Sequence, residues 1–393
     1  MKTCFKNIRF IDGTGKDLRK NIQILVNDGI IQAIDEGASD DCPEDYLMID
    51  MDNRYVIPGM IDCHTHIFLD AGVDFEIKNL TNTPVDDLVT AIQNLEKQIR
   101  SGVVFIRDVG GKHHYDIHLK KHIEKGTITG PDMYCAGKIV TMTGGHGHQI
   151  GREADGIDEV RKAVREQLKA GADVIKVIST GGVMTPGVDI NAYQFNIEEL
   201  KAAVEEAHKA GKKVCTHCHG TQGIKNSVVA GIDSIEHSSL LDEEAADMMA
   251  SAGTYMVPTL SAPHNIIRYG EQSGIPKFVV EKTIEIGKRC YESFNLARKA
   301  GVSIAMGTDA GTPFNEHGSS AQELVLMVEA GMSPMEAIVT ASKNSSELIG
   351  IDHLYGTLEI GKFANFIVLD DNPLDNIKSM RNPFAVYKKG VCI

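Results

Sequence analysis

The sequence predicts an α/β fold, a (β/α)8 TIM barrel over residues 57–353 with a small β-sandwich domain built from both chain ends, residues 1–56 plus 354–393. Three observations predict it. The middle of the chain repeats one joint: an amphipathic helix ends, a glycine follows, and a buried-looking apolar strand begins. The two ends carry strand and turn signals without a helical period. The middle strands finish in histidine and aspartate, at the strand ends where a barrel builds its site.

Taken in order, Phe5 to Ile11 alternates loosely, Asp12-Gly13 turns, and Asn21 to Val26 reads as a strand. Asp28-Gly29 turns again, and Ile30 to Ile34 returns. Tyr55-Val56-Ile57-Pro58-Gly59 closes this region on a breaker pair. Beyond it, short apolar runs at Gly102 to Val109, Val174 to Ser179, Lys213 to His217, Ser234 to Glu236 and Val302 to Met306 alternate with helical stretches. The helices are Thr83 to Arg100, Ile157 to Ala170, Ile197 to Ala210, Lys277 to Ala300 and Ser333 to Ile349. Thr83-Pro84 and Ser333-Pro334 each set a capping residue before a first-turn proline, and Asn196 has Glu199 three residues on. Gly171, Gly211 and Gly301 supply the stops. About eight such units suit a closed barrel. A doubly wound open sheet is disfavoured because no Gly-x-Gly-x-x-Gly follows a strand. The tail returns to strands at Ala364 to Leu369 and Ala385 to Lys388, which can pair with the N-terminal ones.

Composition narrows the function. Hydrophobic residues make up 42% and charged residues 24%, enough for a sizeable core. The formal net charge of -14 comes without a Lys/Arg block, which argues against nucleic acid and anionic membranes as partners. No stretch approaches the ~20 apolar residues of a membrane span, and no signal-peptide pattern opens the chain. The 8 cysteines are scattered, as expected of reduced thiols in a cytoplasmic protein. Oligomeric state is not legible, and a homo-oligomer stays open.

The chemistry starts at Ile61-Asp62-Cys63-His64-Thr65-His66. On a strand, residues i and i+2 face one way, so His64 and His66 can grip one divalent ion or be two ordinary polar side chains. Other strand ends supply His217 and His219, His237, and Asp309. Lys176 lies inside the apolar strand Asp173-Val174-Ile175-Lys176-Val177-Ile178 and reads from its letters alone as a snorkelling or paired lysine.

These segments resemble the amidohydrolase superfamily. The likeness rests on Val56-Ile57-Pro58-Gly59-Met60-Ile61-Asp62-Cys63-His64-Thr65-His66, Ile175-Lys176, His217-Cys218-His219-Gly220, Ile235-Glu236-His237 and Gly307-Thr308-Asp309-Ala310-Gly311-Thr312-Pro313, in that order along nearly the whole chain. Thr143-Gly144-Gly145-His146-Gly147, Thr180-Gly181-Gly182-Val183-Met184-Thr185-Pro186-Gly187 and His317-Gly318 are most similar to the imidazolonepropionase-related group, with its prolidase-like dipeptidases and carboxypeptidases and their binuclear zinc site. The resemblance implies that His64, His66 and Asp309 hold one metal and His217 and His237 a second. A carboxylated Lys176 and a hydroxide would bridge the two, most simply as Zn2+ ions. It implies a metal-dependent amidohydrolase cleaving the amide bond of a dipeptide or N-acyl amino acid, with Asp309 moving the proton. His146 and His219 would contact the substrate carbonyl or oxyanion, and His317 a substrate carboxylate. A lactonase, a cyclic-amide hydrolase or a phosphotriesterase is the alternative on the same scaffold. Deaminase relatives usually lack the bridging lysine, and a non-enzymatic relative would have lost ligands that this chain keeps. The sequence departs at His219, where dipeptidase relatives often carry Tyr, so His219 either polarises the carbonyl or hydrogen-bonds a loop. It departs also at Asn365, where relatives often carry Asp, which bears on the β-domain.

Several tempting features read as structural. Cys215 and Cys218 are i and i+3 on one strand, so their sulfurs should diverge. His114, His118 and His122 fall on one helical face as a surface stripe, and His113 and His148 belong to loops. Glu236 precedes His237 and by alternation should face away from the barrel interior.

Overall fold

The computed structural model describes residues 1–37, 42–270 and 273–393. Its strands are β1 (Lys2–Phe10), β2 (Arg19–Asn27), β3 (Ile30–Glu36), β4 (Leu47–Asp50), β5 (Tyr55–Pro58), β6 (Met60–Thr65), β7 (Val103–Asp108), β8 (Asp132–Cys135), β9 (Val140–Thr141) and β10 (Arg152–Glu153). They continue with β11 (Val174–Ile178), β12 (Lys213–Cys218), β13 (Ser234–His237), β14 (Tyr255–Val257), β15 (Phe366–Leu369), β16 (Ala385–Lys388) and β17 (Val391–Cys392). The chain forms two compact units: Met1–Asp62 with Lys97–Phe105 and Gly318–Ile393, and Cys63–Glu96 with Ile106–His317.

The first unit holds an eight-stranded sheet ordered β17-β16-β15-β5-β1-β2-β3, with β4 beside β1. Both chain ends build it, because β15 pairs antiparallel with β5, Ile367 opposite Ile57 and Val368 opposite Val56. Its alternating apolar positions supply one core: Phe5, Phe10, Ile22, Ile24, Val56, Phe366 and Tyr387 are all buried. Phe366 stacks on Tyr387 at 4.6 Å between centroids and meets Phe5 edge-on at 5.1 Å, the two favoured aromatic geometries.

In the second unit β10-β9-β11-β12-β13-β14 form a parallel sheet. Another sheet has the order β6-β7-β8. Parallel pairing requires crossovers, and the helices Gly156–Ala170, Ile197–Lys209, Thr221–Ala230 and Glu243–Ala252 alternate with the strands. The local signals act as read: Asn196 forms a capping box with Glu199, Ser333 one with Glu336, and Gly171 and Gly301 end their helices in the left-handed region at φ 104° and 80°. Together with the structural neighbours described below, this is a TIM-barrel-like α/β fold.

Two elements differ from the sequence reading. Val302 to Met306 forms a single bridge, Met256 to Ile304, in place of a strand. Its backbone is nevertheless bonded on two sides. Met256 N donates to Ser303 O at 2.9 Å and Ala305 N to Met256 O at 3.0 Å, while Cys63 N donates to Met306 O at 2.8 Å and Asp309 N to His64 O at 2.8 Å. The φ of 60° at Asp309 curls the chain out of a regular ladder. Ser333 to Ile349 is two short helices, Pro334–Val339 and Ser345–Ile349, joined by a π turn at Thr340–Asn344. Ser342 and Ser345 bond back to the carbonyls of Ile338 and Thr340 (2.6 and 2.8 Å), competing with the α-helical ladder. Among the described residues no helix is long and apolar enough to cross a membrane.

Candidate metal centre

On β6, His64 and the residue just past its end, His66, share a face as i and i+2, their rings 5.4 Å apart. Asp309 meets them: its Oδ1 lies 3.4 Å from Nε2 of each histidine. A second group comes from β12 and β13, where donor nitrogens of His217, His219 and His237 lie within 4.8 Å of one another. His237 reaches across to His64, ring to ring, at 5.0 Å. Both triads therefore crowd one place.

Hydrogen bonds behind the rings fix which nitrogen faces forward. His66 Nδ1 donates to Gly110 O at 3.0 Å, leaving Nε2 toward Asp309. His237 Nδ1 pairs with Thr259 Oγ1 at 2.7 Å, His219 Nδ1 with Ser239 Oγ at 2.8 Å, and His146 Nδ1 with Thr185 Oγ1 at 2.7 Å. His217 turns Nε2 to Gly181 O at 3.3 Å.

Glu236 corrects the alternation argument. His237 takes φ 69°, so the strand's period of two breaks at its last residue and both side chains face inward. Glu236 is fully buried and its Oε2 accepts from His64 Nδ1 at 2.8 Å. Its Oε1 takes a hydrogen bond from Arg107 Nη2 at 2.9 Å and from Ser234 Oγ at 2.7 Å. Arg107 also donates to Cys63 O at 2.6 Å. The sequence reading missed Arg107, although a cation inside the apolar run Val103-Val104-Phe105-Ile106 is the same signal that exposed Lys176.

Lys176 lies in the middle of β11, 2% exposed, and burial holds its amine below the ordinary lysine value. Burial likewise drives His64, His217 and His237 well below the usual imidazole range, and His66 and His219 to about 4 and His146 to about 3. The charge of Lys176 adds to every one of these shifts, so it lies within electrostatic reach of both triads. Neutral imidazoles are the form that binds metal.

His64, His66, His146, Lys176, His217, His219, His237 and Asp309 line one cavity of about 140 Å³. Leu69, Ile139, Ile178, Met184, Ile266 and Ile286 provide apolar wall. His317 is not among the residues lining that cavity; its Nε2 meets His66 O at 3.2 Å. His148 bonds the loop carbonyl of Gly145 at 2.9 Å. His118 and His122 are exposed, whereas His114 opens its helix and bonds Gln167 at 2.7 Å. All eight cysteines are free, Cys215 and Cys218 included.

The amidohydrolase family profile matches residues 55–392. The chain belongs to the amidohydrolase family. This amidohydrolase is a hydrolase acting on carbon–nitrogen bonds, in a family whose members bind divalent metals. It is 34% identical to ochratoxinase of Aspergillus niger over 96% of this chain and 82% of that protein. The crystal structure of a Xaa-Pro dipeptidase with methionine bound in its active site is 32% identical, with a TM-score of 0.94 over 100% of both chains. A prolidase complexed with N-methylphosphonate-L-proline is 27% identical, with a TM-score of 0.93 over 100% of this chain and 99% of that one. The donors of this amidohydrolase fit such an ion: a buried group of three imidazoles, and a group of two imidazoles with a carboxylate in which His64 is buried and His66 and Asp309 are partly exposed, match the ligand types of divalent zinc.

Proposed function

We propose that this amidohydrolase cleaves the amide bond of a dipeptide or N-acyl amino acid at a binuclear divalent-metal centre, most simply of zinc. The observation that carries the reading is the meeting of two donor triads in one cavity, with a buried lysine in electrostatic reach of both. His64, His66 and Asp309 would hold one ion and His217 and His237 the other. Lys176 would bridge them once carboxylated; burial disfavours its ammonium form, and a carboxylated amine would offer an anionic ligand in its place.

When bound, the ions supply a water with its pKa lowered towards ~7 and polarise the scissile carbonyl. The remaining work falls to side chains. Asp309, 3.4 Å from both His64 and His66, accepts the attacking water's proton and returns it to the departing amine. His146 and His219 each commit Nδ1 to a hydroxyl, which fixes the ring so that the other nitrogen can meet the carbonyl oxygen or oxyanion. The Glu236–Arg107 pair holds His64 with Nε2 forward. His317 backs His66 through its carbonyl.

The substrate class is supported by the dipeptidase and prolidase neighbours and by the cavity. A volume near 140 Å³ with apolar walls is close to the ~150 Å³ that holds one benzene ring, the size of one amino-acid side chain. The same reading makes residues 57–353 a closed barrel and residues 1–56 with 354–393 a β-sandwich domain. The bonds of residues 303–309 to Met256, Cys63 and His64 support the closure, and the β15–β5 pairing supports the shared domain. Free cysteines suit the reducing cytoplasm. The test is reconstitution with zinc and bicarbonate, metal analysis, and turnover of dipeptide and N-acyl amino acid libraries. Close to two ions per chain and hydrolysis of a member are expected; a metal content near zero sinks the binuclear reading.

A further inference from the structure

Two carboxyl groups beside the site belong to none of this machinery. Asp108 ends β7, Asp116 lies in the first turn of helix Tyr115–Glu124, and both are fully buried. Each is tied to a backbone N–H. Asp108 Oδ1 accepts from Ile67 N at 2.9 Å, and Asp116 Oδ2 accepts from Gly137 N at 2.8 Å. The two converge, because the residue before Gly137, Ala136, donates its own N–H to Asp108 O at 2.9 Å. Their remaining oxygens, Asp108 Oδ2 and Asp116 Oδ1, are buried without a hydrogen-bond partner. No cation pairs with either among the described residues. The nearby Arg107 guanidinium is spent on Glu236, Ser234 and Cys63, and Lys112 faces Asp87 at 3.6 Å.

We propose that Asp108 and Asp116 share one proton, as a buried acid–carboxylate pair that positions the loop carrying His66. One O–H donated from Asp108 Oδ2 to Asp116 Oδ1 satisfies both orphan oxygens and removes the repulsion of two buried like charges. Burial raises both groups' pKa, and the neighbouring Asp116 charge raises that of Asp108 further. His114 pulls Asp116 the other way, while Asp173 adds to the rise; burial pushes the Cys135 thiol up, and Asp116 and Asp108 add to that shift. The pair fastens two backbones to each other. Ile67 directly follows His66, and Gly137 O accepts from Gly111 N at 3.0 Å, next to the Gly110 carbonyl that receives His66 Nδ1. The positioning role rests on His66 being a metal ligand; the shared proton does not.

Infrared difference spectroscopy tests the proton directly. At neutral pH, where exposed carboxyls are ionised, the wild-type protein should show a protonated-carboxyl C=O band, and Asp108→Asn should abolish it. The amide introduced by D108N has the acid's shape and donates an N–H to Asp116, so this variant should recover most of the thermal stability and metal affinity that Asp108→Leu loses. D108L should lower metal affinity at least tenfold, in the range set by loss of supporting hydrogen bonds around ligands. Absence of the wild-type band, or a band unchanged in both D108N and D116N, overturns the pair. So does a third metal ion per chain that D108N removes. If D108L keeps full metal affinity, the positioning role falls while the binuclear reading stands. If the wild-type protein binds no metal, that reading fails, and the infrared band alone decides the pair.

Discussion

Asp309 is the side chain on which the proposed chemistry turns. Its carboxylate faces both His64 and His66, so it can serve as ligand and as proton carrier. Asn keeps the oxygen ligand but cannot take a proton. Asp309→Asn should therefore retain most of its metal and lose turnover by about 10²–10⁴-fold, the usual worth of a general acid–base group; near-wild-type kcat would remove Asp309 from proton transfer. The histidines give a second prediction. Burial lowers His66 and His219 to about 4 from an ordinary 6.5. Above pH 6.5 both folded and unfolded forms are neutral and the stability is fully present. As pH falls, the unfolded chain takes protons first, so stability is lost between about 6.5 and 4. The metal-free protein should show a Tm that drops through this window, ahead of the carboxylates such as Glu206, which is held at about 2. His66→Asn should make the slope shallower; a Tm flat from pH 7 to 4 would contradict neutral buried imidazoles.

At the scale of strands, the site depends on how closely the Asp309 segment approaches β6. Gly307 makes that approach possible. A Cβ there would lie 2.8 Å from His64 Cβ, 3.1 Å from His64 N and 2.4 Å from Val257 Cγ1. Gly307→Ala should cost about 1–3 kcal/mol of stability by overpacking and push His64 off its line with Asp309. A lowered Tm together with weakened metal binding is expected, and metal affinity equal to wild type would show that the approach is not needed. Most of the site's members were legible in the sequence because they end apolar runs, which is where a parallel barrel gathers them: His64, His66, His217, His237 and Asp309 all line the cavity. What failed was the inference from period two at strand ends. Glu236 keeps the inward face it shares with Ser234, the left-handed backbone at His237 brings that side chain to the same side, and no letter announces that φ. Partners such as Thr185, Ser239 and Thr259 come from loops, where contacts depend on folding and not on spacing.

For the whole molecule, the strand pairing of the two ends was expected from their shared turn-and-strand character, since edges left by one end need partners from the other. The run Val302 to Met306 was misread because its apolar residues look like a strand while its hydrogen bonds split between Met256 and β6. The joined ends carry the last prediction. Removing residues 354–393 strips β15 from β5, leaving Val56 and Ile57 without their Val368 and Ile367 partners. It also takes Phe366, Tyr387, Leu358 and Val368 out of the core that buries Phe5, Phe10, Ile22 and Ile24. Deleting a single buried aromatic side chain costs about 3–5 kcal/mol, and a domain has only about 5–15 kcal/mol in all. Losing two aromatics and two aliphatics at once exceeds that margin. A chain ending at residue 353 should therefore lose slow hydrogen exchange at the β1, β2 and β5 amides, and adding the missing segment as a peptide should restore it only if the ends pair without a covalent link. Full protection of residues 1–56 in the truncated chain would mean that they fold without the tail, and that the shared core is a contact and not a requirement.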